Sequence, residues 1–108
     1  MNQDTVEKGK TMAIIAYFHL LGAIIAIVQN NEHKNPFTSF HIRQGLGLTI
    51  LSMLLGILVS GFDSWLVSSS FYIFFFILWA FSFIGAIQGK MYLIPVVGPF
   101  FQNLFKNL

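Results

Sequence analysis

Long apolar blocks make up most of this chain, and the charged side chains mark where each block ends. No Asp, Glu, Lys or Arg occurs in residues 11–31, 44–62 or 64–89. A transmembrane helix needs about 20 predominantly apolar residues, with a usable range of about 17–25. The pattern therefore predicts transmembrane helices over residues 12–28, 42–62 and 69–88, after an N-terminal segment of residues 1–11.

Two other interpretations of these blocks fit less well. Core helices of a soluble protein need polar sequence to cover them, and three apolar blocks in 108 residues leave too little of it. A cleaved signal peptide is an alternative for the first block, because Lys8 and Lys10 precede it. That block ends in residues 26–30 without a convincing small-x-small cleavage site, and its length is better suited to a span.

The polar segments between the blocks predict loops. Residues 30–36 carry amide, charged and proline side chains that favour turns and do not enter hydrocarbon. Thr38 or Ser39 is the predicted N-cap of the second helix. The loop of residues 61–68 is short, so the second and third helices are predicted to be antiparallel neighbours.

The C-terminal stretch is apolar but too short to cross a membrane. Pro95 and Pro99 interrupt any continuous helix there. Beyond Pro99 the apolar side chains recur at i, i+3, i+4 and i+7, with polar residues on the other face. We expect a short amphipathic helix over residues 99–108, whose apolar face rests either on acyl chains or on another protein. The residues of this interfacial tail are Phe101, Leu104, Phe105 and Leu108.

Together the blocks predict an all-α polytopic membrane protein with three transmembrane helices, a short C-terminal amphipathic interfacial helix and a single membrane domain over residues 1–108. Hydrophobic residues make up 56% of the chain and charged residues 9%, against about a quarter charged in ordinary soluble domains. The net charge of +2 arises from few groups and does not indicate a nucleic-acid partner. Cysteine is absent, which excludes disulfide and thiolate chemistry.

Small residues form a stripe on each predicted span, and such residues let membrane helices approach closely. The stripes predict contacts within the chain, with self-association through the second stripe as the alternative. The predicted packing and partner residues are Ala16, His19, Ala23, Gly45, Thr49, Ser52, Gly56, Ser82, Gly85 and Ala86.

Catalytic groups are sparse, so we expect neither an enzyme nor a bound cofactor or metal. The chain has no Gly-x-Ser-x-Gly, no paired carboxylates and no phosphate-cradling glycine loop. His19 lies near the middle of the first predicted span, where it is either a functional polar element or, as we prefer, a neutral side chain that joins two helices. His41 and Arg43 are predicted to anchor the second helix among lipid headgroups. A metal shared by His19 and His41 is disfavoured, because their predicted depths differ by about 8–10 Å.

Three segments of the sequence carry a recognisable pattern: residues 13–17, residues 35–46, and the ending Gly, Tyr and then Ile-Pro-x-x-Gly in residues 89–98. These segments resemble the bacterial relatives of the Tic-twenty family, the chloroplast inner-envelope protein-import component. The resemblance covers residues 12–100, and its most specific part, the family signature, is Phe40, His41, Arg43 and Gln44. It implies a polytopic helical membrane protein related to plant members that move precursor proteins across a membrane. The plant members have four spans and an N-terminal extension, whereas this sequence predicts three spans.

The distribution of cations predicts the orientation. In a three-span protein the first loop and the C-terminus share one side, and the positive-inside rule favours placing that side in the cytoplasm. That side would hold Lys34, Arg43, Lys90 and Lys106, and the other side would hold Lys8 and Lys10. The expected location is the bacterial inner membrane.

The expected function is that of a non-enzymatic membrane subunit of a larger complex, with protein translocation across or into the membrane as its expected setting. Its expected partners are membrane lipids and other membrane subunits, such as those of a translocase or envelope complex, and a homo-oligomer is possible. One alternative is a small homo-oligomeric transporter or channel that uses His19. A second is a lipid-binding, membrane-organising protein that uses His41, Arg43 and the tail.

Overall fold

The computed structural model of the protein describes residues 2–108. Over this range the chain forms five α-helices and no strand, which confirms the predicted all-α class for the described residues. The helices are α1 (Gln3–Ile15), α2 (His19–His33), α3 (Pro36–Val59), α4 (Trp65–Gln88) and α5 (Val97–Leu104).

Within the described range, α3 and α4 are the two helices that are long and apolar enough to cross a membrane. They correspond to the second and third predicted spans, and each begins a few residues earlier than expected. Within the most apolar stretch of each helix, the share of residues buried inside the protein is 28% for α3 and 22% for α4. The side chains of these two stretches therefore face mostly outward, whereas a core helix of a soluble protein is mostly buried.

A capping side chain sets the start of each long helix. The Asn35 side-chain oxygen accepts hydrogen bonds from the backbone N–H groups of Phe37 (2.9 Å) and Thr38 (3.1 Å). Pro36 follows at the first helical position, where its missing N–H costs nothing. The prediction of Thr38 or Ser39 as the cap was wrong, because the Asn-Pro pair begins the helix one turn earlier. Ser64 caps α4 in the same way.

The first predicted span, residues 12–28, is not one helix, so three transmembrane helices are not confirmed. Helix α1 begins in the polar N-terminal segment and ends at Ile15, and the chain turns before α2 begins at His19. His19 adopts a left-handed backbone conformation, with φ 61°. Helices α1 and α2 together form a helical hairpin, which we call the N-terminal hairpin (residues 3–33).

Contacts with α3 and α4 explain the turn. Gly45 of α3 has no side chain, and a Cβ there would collide with the backbone carbonyl of Ala16. The indole N–H of Trp79 in α4 donates to the Tyr17 carbonyl at 2.8 Å, which satisfies a backbone acceptor freed by the end of α1. Hydropathy along the chain contains no information about these distant partners, and for this reason it predicted a continuous span.

The N-terminal hairpin packs on the first part of α3. The Thr38 hydroxyl donates to the Gly9 carbonyl of α1 at 2.9 Å. The Asn30 amide of α2 donates to the Ser39 hydroxyl at 2.8 Å. The hairpin turn lies further along α3, beside Gly45. The hairpin therefore covers α3 from about Thr38 to Gly45.

The later part of α3 and the earlier part of α4 form an antiparallel pair that extends beyond the hairpin. This pair leaves many large apolar side chains exposed, including Met53, Ile57, Leu58, Tyr72, Ile73, Phe74, Phe76 and Ile77. In contrast, the end of the molecule covered by the hairpin has two buried clusters, one built around Tyr17 and Phe37 and one around Ile42.

Helix α5 is shorter than the predicted residues 99–108 and packs on α3. Phe101 is buried against Gly47, where a Cβ would collide with its ring. Leu108 packs beside the cluster of Ile42, Phe105 is half-buried and Leu104 is exposed. Part of the predicted interfacial face thus packs against this chain itself. The sequence analysis expected that face to rest on acyl chains or on another protein.

The glycines of α3 differ in how closely they are packed, and this gives a stability prediction. We expect Gly45→Ala to destabilise the protein by about 1–3 kcal/mol, because its Cβ meets a backbone carbonyl that cannot move freely. Gly56→Ala is the matched control, since the nearest atom to its Cβ is 3.8 Å away on Phe71 and alanine favours helix. Thermal unfolding in a mild detergent measures both. Equal melting temperatures for the two variants would contradict the close approach at Gly45.

Candidate functional site

The most polar part of the interior lies where α3, the N-terminal hairpin and the segment after α4 meet. His41 and Gln44 of α3 are fully buried there, one helical turn apart. Tyr17 comes from the hairpin turn and is also buried. The residues after α4 contribute backbone groups. We call His41, Gln44 and Tyr17 the buried polar cluster.

The hydrogen bonds of the His41 ring assign the tautomer of its neutral form. Its Nε2 lies 2.9 Å from the Lys90 carbonyl, and a carbonyl only accepts, so Nε2 carries the hydrogen. In the neutral ring Nδ1 is then an acceptor. The Tyr17 hydroxyl lies 2.6 Å from Nδ1 and donates to it. The ring therefore connects the hairpin turn to the end of α4.

Gln44 connects the same hydroxyl to the segment after α4. Its side-chain amide donates to the Tyr17 hydroxyl at 3.2 Å and to the Tyr92 carbonyl at 3.0 Å. Its side-chain oxygen accepts from the Ile94 N–H at 2.7 Å. The hydrogen bonds thus run in one direction, from Gln44 to Tyr17, then to His41 and finally to the Lys90 carbonyl.

Every group in the buried polar cluster has a partner. Throughout residues 2–108, no buried side-chain nitrogen or oxygen lacks a hydrogen bond. A fully satisfied polar network in an apolar surrounding makes a structure more rigid and specifies one arrangement. The geometry therefore gives the cluster a structural role, joining the hairpin turn, α3 and residues 90–94.

The placement of His41 corrects the sequence interpretation. His41 was expected to anchor the helix among headgroups, whereas it is fully buried. The reason is that α3 begins at Pro36, which places His41 more than one turn inside the helix and beneath the hairpin. Among the described residues there is also no group of three His, Cys, Asp or Glu side chains suited to a metal ion.

Arg43 is half-buried and binds the C-terminal tail, a contact that the sequence analysis did not predict. Its guanidinium donates to the Phe105 carbonyl (3.2 Å), the Gln102 side-chain oxygen (3.3 Å) and the Lys106 carbonyl (3.0 Å). Gln102 in turn donates to the carbonyl of Phe40 at 3.0 Å. Two of the signature residues, His41 and Gln44, belong to the buried polar cluster. The other two, Phe40 and Arg43, hydrogen-bond to the tail.

Only some of the residues in the predicted small-residue stripes are buried against neighbouring helices. His19 is exposed at the start of α2, so its expected place in a packing face inside a span is wrong; the turn at residues 16–18 moves it to the surface. Thr49, Ser52 and Gly56 are only half-buried, and a Cβ on Gly56 would meet no atom nearer than the Phe71 ring at 3.8 Å. The fully buried members of the predicted set are Ala16, Ala23, Gly45, Ser82, Gly85 and Ala86.

The half-buried small residues line an open groove between α3 and α4. This outer groove has a volume of about 810 Å³. Thr49, Ser52 and Gly56 form one wall, and aromatic side chains of α4, including Phe71 and Phe75, form the other. The groove lies in the part of the pair that the N-terminal hairpin does not cover.

Sequence reasoning missed several residues that shape the site. Tyr17 was included only as part of the segment of residues 13–17 in the family resemblance. No role was predicted for Trp79 or Asn30. Asn30 is buried, and its side chain bonds both Ser39 and the Asn35 N–H. A polar group at the centre of an apolar block was the available signal for Tyr17, because such a group requires a partner once it is buried.

Comparison of the chain with protein-family models, with curated proteins and with solved structures finds no match. The resemblance to the Tic-twenty family therefore stays a prediction that rests on the quoted segments.

Removal of the Tyr17 hydroxyl tests the buried polar cluster. We expect Tyr17→Phe to cost about 1–3 kcal/mol, because His41 Nδ1 and one Gln44 N–H lose their partner in a buried site. Tyr72→Phe is the control, since Tyr72 is exposed and its loss should cost less than about 0.5 kcal/mol. Thermal unfolding of both variants in detergent gives the comparison. A Tyr17→Phe protein as stable as the control would show that the cluster contributes little.

Proposed function

We propose that the protein is a non-enzymatic integral membrane subunit that binds a larger membrane assembly, with protein translocation across or into the membrane as its setting. The observation that carries the proposal is the outer groove, an open apolar cleft on a helix pair whose surface is mostly exposed. The setting rests on the resemblance of residues 13–17, 35–46 and 89–98 to the Tic-twenty family.

The dimensions of α3 and α4 support insertion in a membrane. Each has 24 residues, which corresponds to about 36 Å of helix at about 1.5 Å per residue. The hydrocarbon core of a bilayer is about 30 Å thick. Exposed apolar side chains on both helices would face acyl chains, which supports a pair of spans with the N-terminal hairpin packed beside them.

The cations support one orientation of this pair. The N-terminal hairpin, the loop before α3 and the segment after α4 all lie at the same end of the α3–α4 pair, because Thr38 contacts Gly9 and Gly89 lies beside Lys10. All six Lys and Arg residues belong to these segments or to the first turns of α3. The turn between α3 and α4 carries Asp63. The positive-inside rule then favours this basic end in the cytoplasm, with the N-terminus on that side as well.

The composition of the outer groove supports a helical partner. Without a hydrophobic driving force between helices in lipid, association depends on close packing against small residues. The small wall of the groove is not covered by this chain, whereas the aromatic wall offers large apolar area. A transmembrane helix of another subunit would fill this space with close contacts on one side and rings on the other.

The position of His19 removes the main support for the transporter alternative. That alternative relied on His19 as a polar element within a span, and His19 is exposed at the start of α2. Neither α3 nor α4 contains an acidic residue. The proposal of an accessory subunit requires no such residue.

Filling the outer groove tests the proposal. We expect Gly56→Phe to reduce co-purification of partner subunits about tenfold or more, because the new ring occupies the partner's space. Leu58→Phe is the control, since Leu58 is an exposed residue of α3 outside the groove. The measurement is affinity purification of the tagged protein from its native membrane in mild detergent, followed by quantitative mass spectrometry.

The outcomes separate the two leading functions. Stoichiometric translocase or envelope subunits with the wild type and Leu58→Phe, but not with Gly56→Phe, support the proposal. Recovery of the wild type alone, as a defined homo-oligomer, contradicts it and favours the transporter. Equal melting temperatures of the two variants exclude misfolding as the cause of a loss.

A further inference from the structure

A second cavity lies at the basic end of the molecule, beside the first turns of α3. It has a volume of about 430 Å³. Three cationic side chains line it, Lys34 from the loop before α3, Arg43 from α3 and Lys106 from the tail. We call it the basic cavity. Lys106 is 63 positions from Arg43 in the sequence, so the fold brings the charge of the tail to the other two cations.

The chain itself offsets at most one of the three positive charges of the basic cavity, through the carboxylate of Leu108, which also lines the cavity. In the described range, ion pairs join Lys8 to Asp4 and Lys10 to Glu7, and no ion pair involves the cavity's cations. No Asp or Glu side chain lines the cavity. Because like charges in one cavity repel each other, an anion placed between them would lower the electrostatic energy.

Arg43 is held in position for such an anion. Three of its N–H groups donate to neutral oxygens of the tail, which fixes the guanidinium without cancelling its charge. A guanidinium has five N–H donors. The remaining two, one on each terminal nitrogen, have no acceptor among residues 2–108 and are available to a ligand. Guanidinium groups bind phosphate and carboxylate oxygens especially well.

We infer that the basic cavity binds the phosphate of an anionic phospholipid headgroup, through Lys34, Arg43 and Lys106. This inference rests on the proposed membrane insertion, because α3 begins beside the cavity and headgroups lie at the ends of spans. The cavity also has apolar lining from Phe40, Met91 and Pro36, which suits the glycerol and first acyl carbons of a lipid better than a free ion. The negative charge of the headgroup phosphate would offset part of the positive charge of the cavity.

The test compares lipid retention in two variants with the same change of charge. Purified protein in neutral detergent is mixed with phosphatidylglycerol, phosphatidylcholine or inorganic phosphate, and bound lipid is counted by native mass spectrometry. We expect the double variant Lys34→Gln/Lys106→Gln to retain phosphatidylglycerol about tenfold less than the wild type. The control is Lys8→Gln/Lys10→Gln, which lies outside the basic cavity and should change retention less than about twofold. Arg43 stays unchanged because it fastens the tail.

Three results would overturn the inference. These are unchanged retention by Lys34→Gln/Lys106→Gln, equal retention of phosphatidylcholine, or displacement of the lipid by millimolar inorganic phosphate, which would identify a free phosphate site. Equal melting temperatures of the two double variants show that any loss is local. The measurement needs no partner assembly, so its failure leaves the co-purification result standing, and recovery of the protein without partners would leave lipid binding intact.

Discussion

The hydrogen bonds among Gln44, Tyr17 and His41 connect parts of the chain that are far apart in sequence, and the rest of the arrangement depends on them. Each of these side chains carries polar atoms into an apolar interior, where an unpaired group is costly. Their partners come from the hairpin turn, from α3 and from residues 90–94. The bond from Trp79 to the Tyr17 carbonyl adds a fourth connection, to α4.

This constraint explains the unequal ends of the molecule. The hydrogen bond between Tyr17 and His41 holds the first apolar block folded back as a hairpin, which covers the basic end of α3. The tail binds the same end through Arg43. The opposite end of the α3–α4 pair is left open, with its outer groove exposed. One end thus carries the buried polar cluster and the basic cavity, and the other carries the outer groove, where we propose that a partner helix binds.

Local patterns predicted the parts of the fold that depend on local physics. The charge-free blocks identified α3 and α4, and the small residues at Gly45, Gly85 and Ala86 marked positions of close packing. The hairpin could not be predicted in this way, because the turn at residues 16–18 is stabilised by Trp79 and by contact with Gly45, both distant in sequence. His41 was misplaced for a related reason. Because α3 begins at Pro36, with Asn35 as its cap, and the hairpin covers its first turns, His41 finds its partners within the chain.

The central claim is that residues 12–28 fold back and do not cross the membrane, and labelling of single cysteines tests it most directly. The native chain has no cysteine, so Lys8→Cys, Lys34→Cys and Asp63→Cys each introduce one reactive site. The three variants are treated with a membrane-impermeant maleimide in vesicles of known orientation. The fold-back predicts that Lys8→Cys and Lys34→Cys react from the same side and Asp63→Cys from the other. Reaction of Lys8→Cys from the side of Asp63→Cys would place the first apolar block across the membrane and contradict the account.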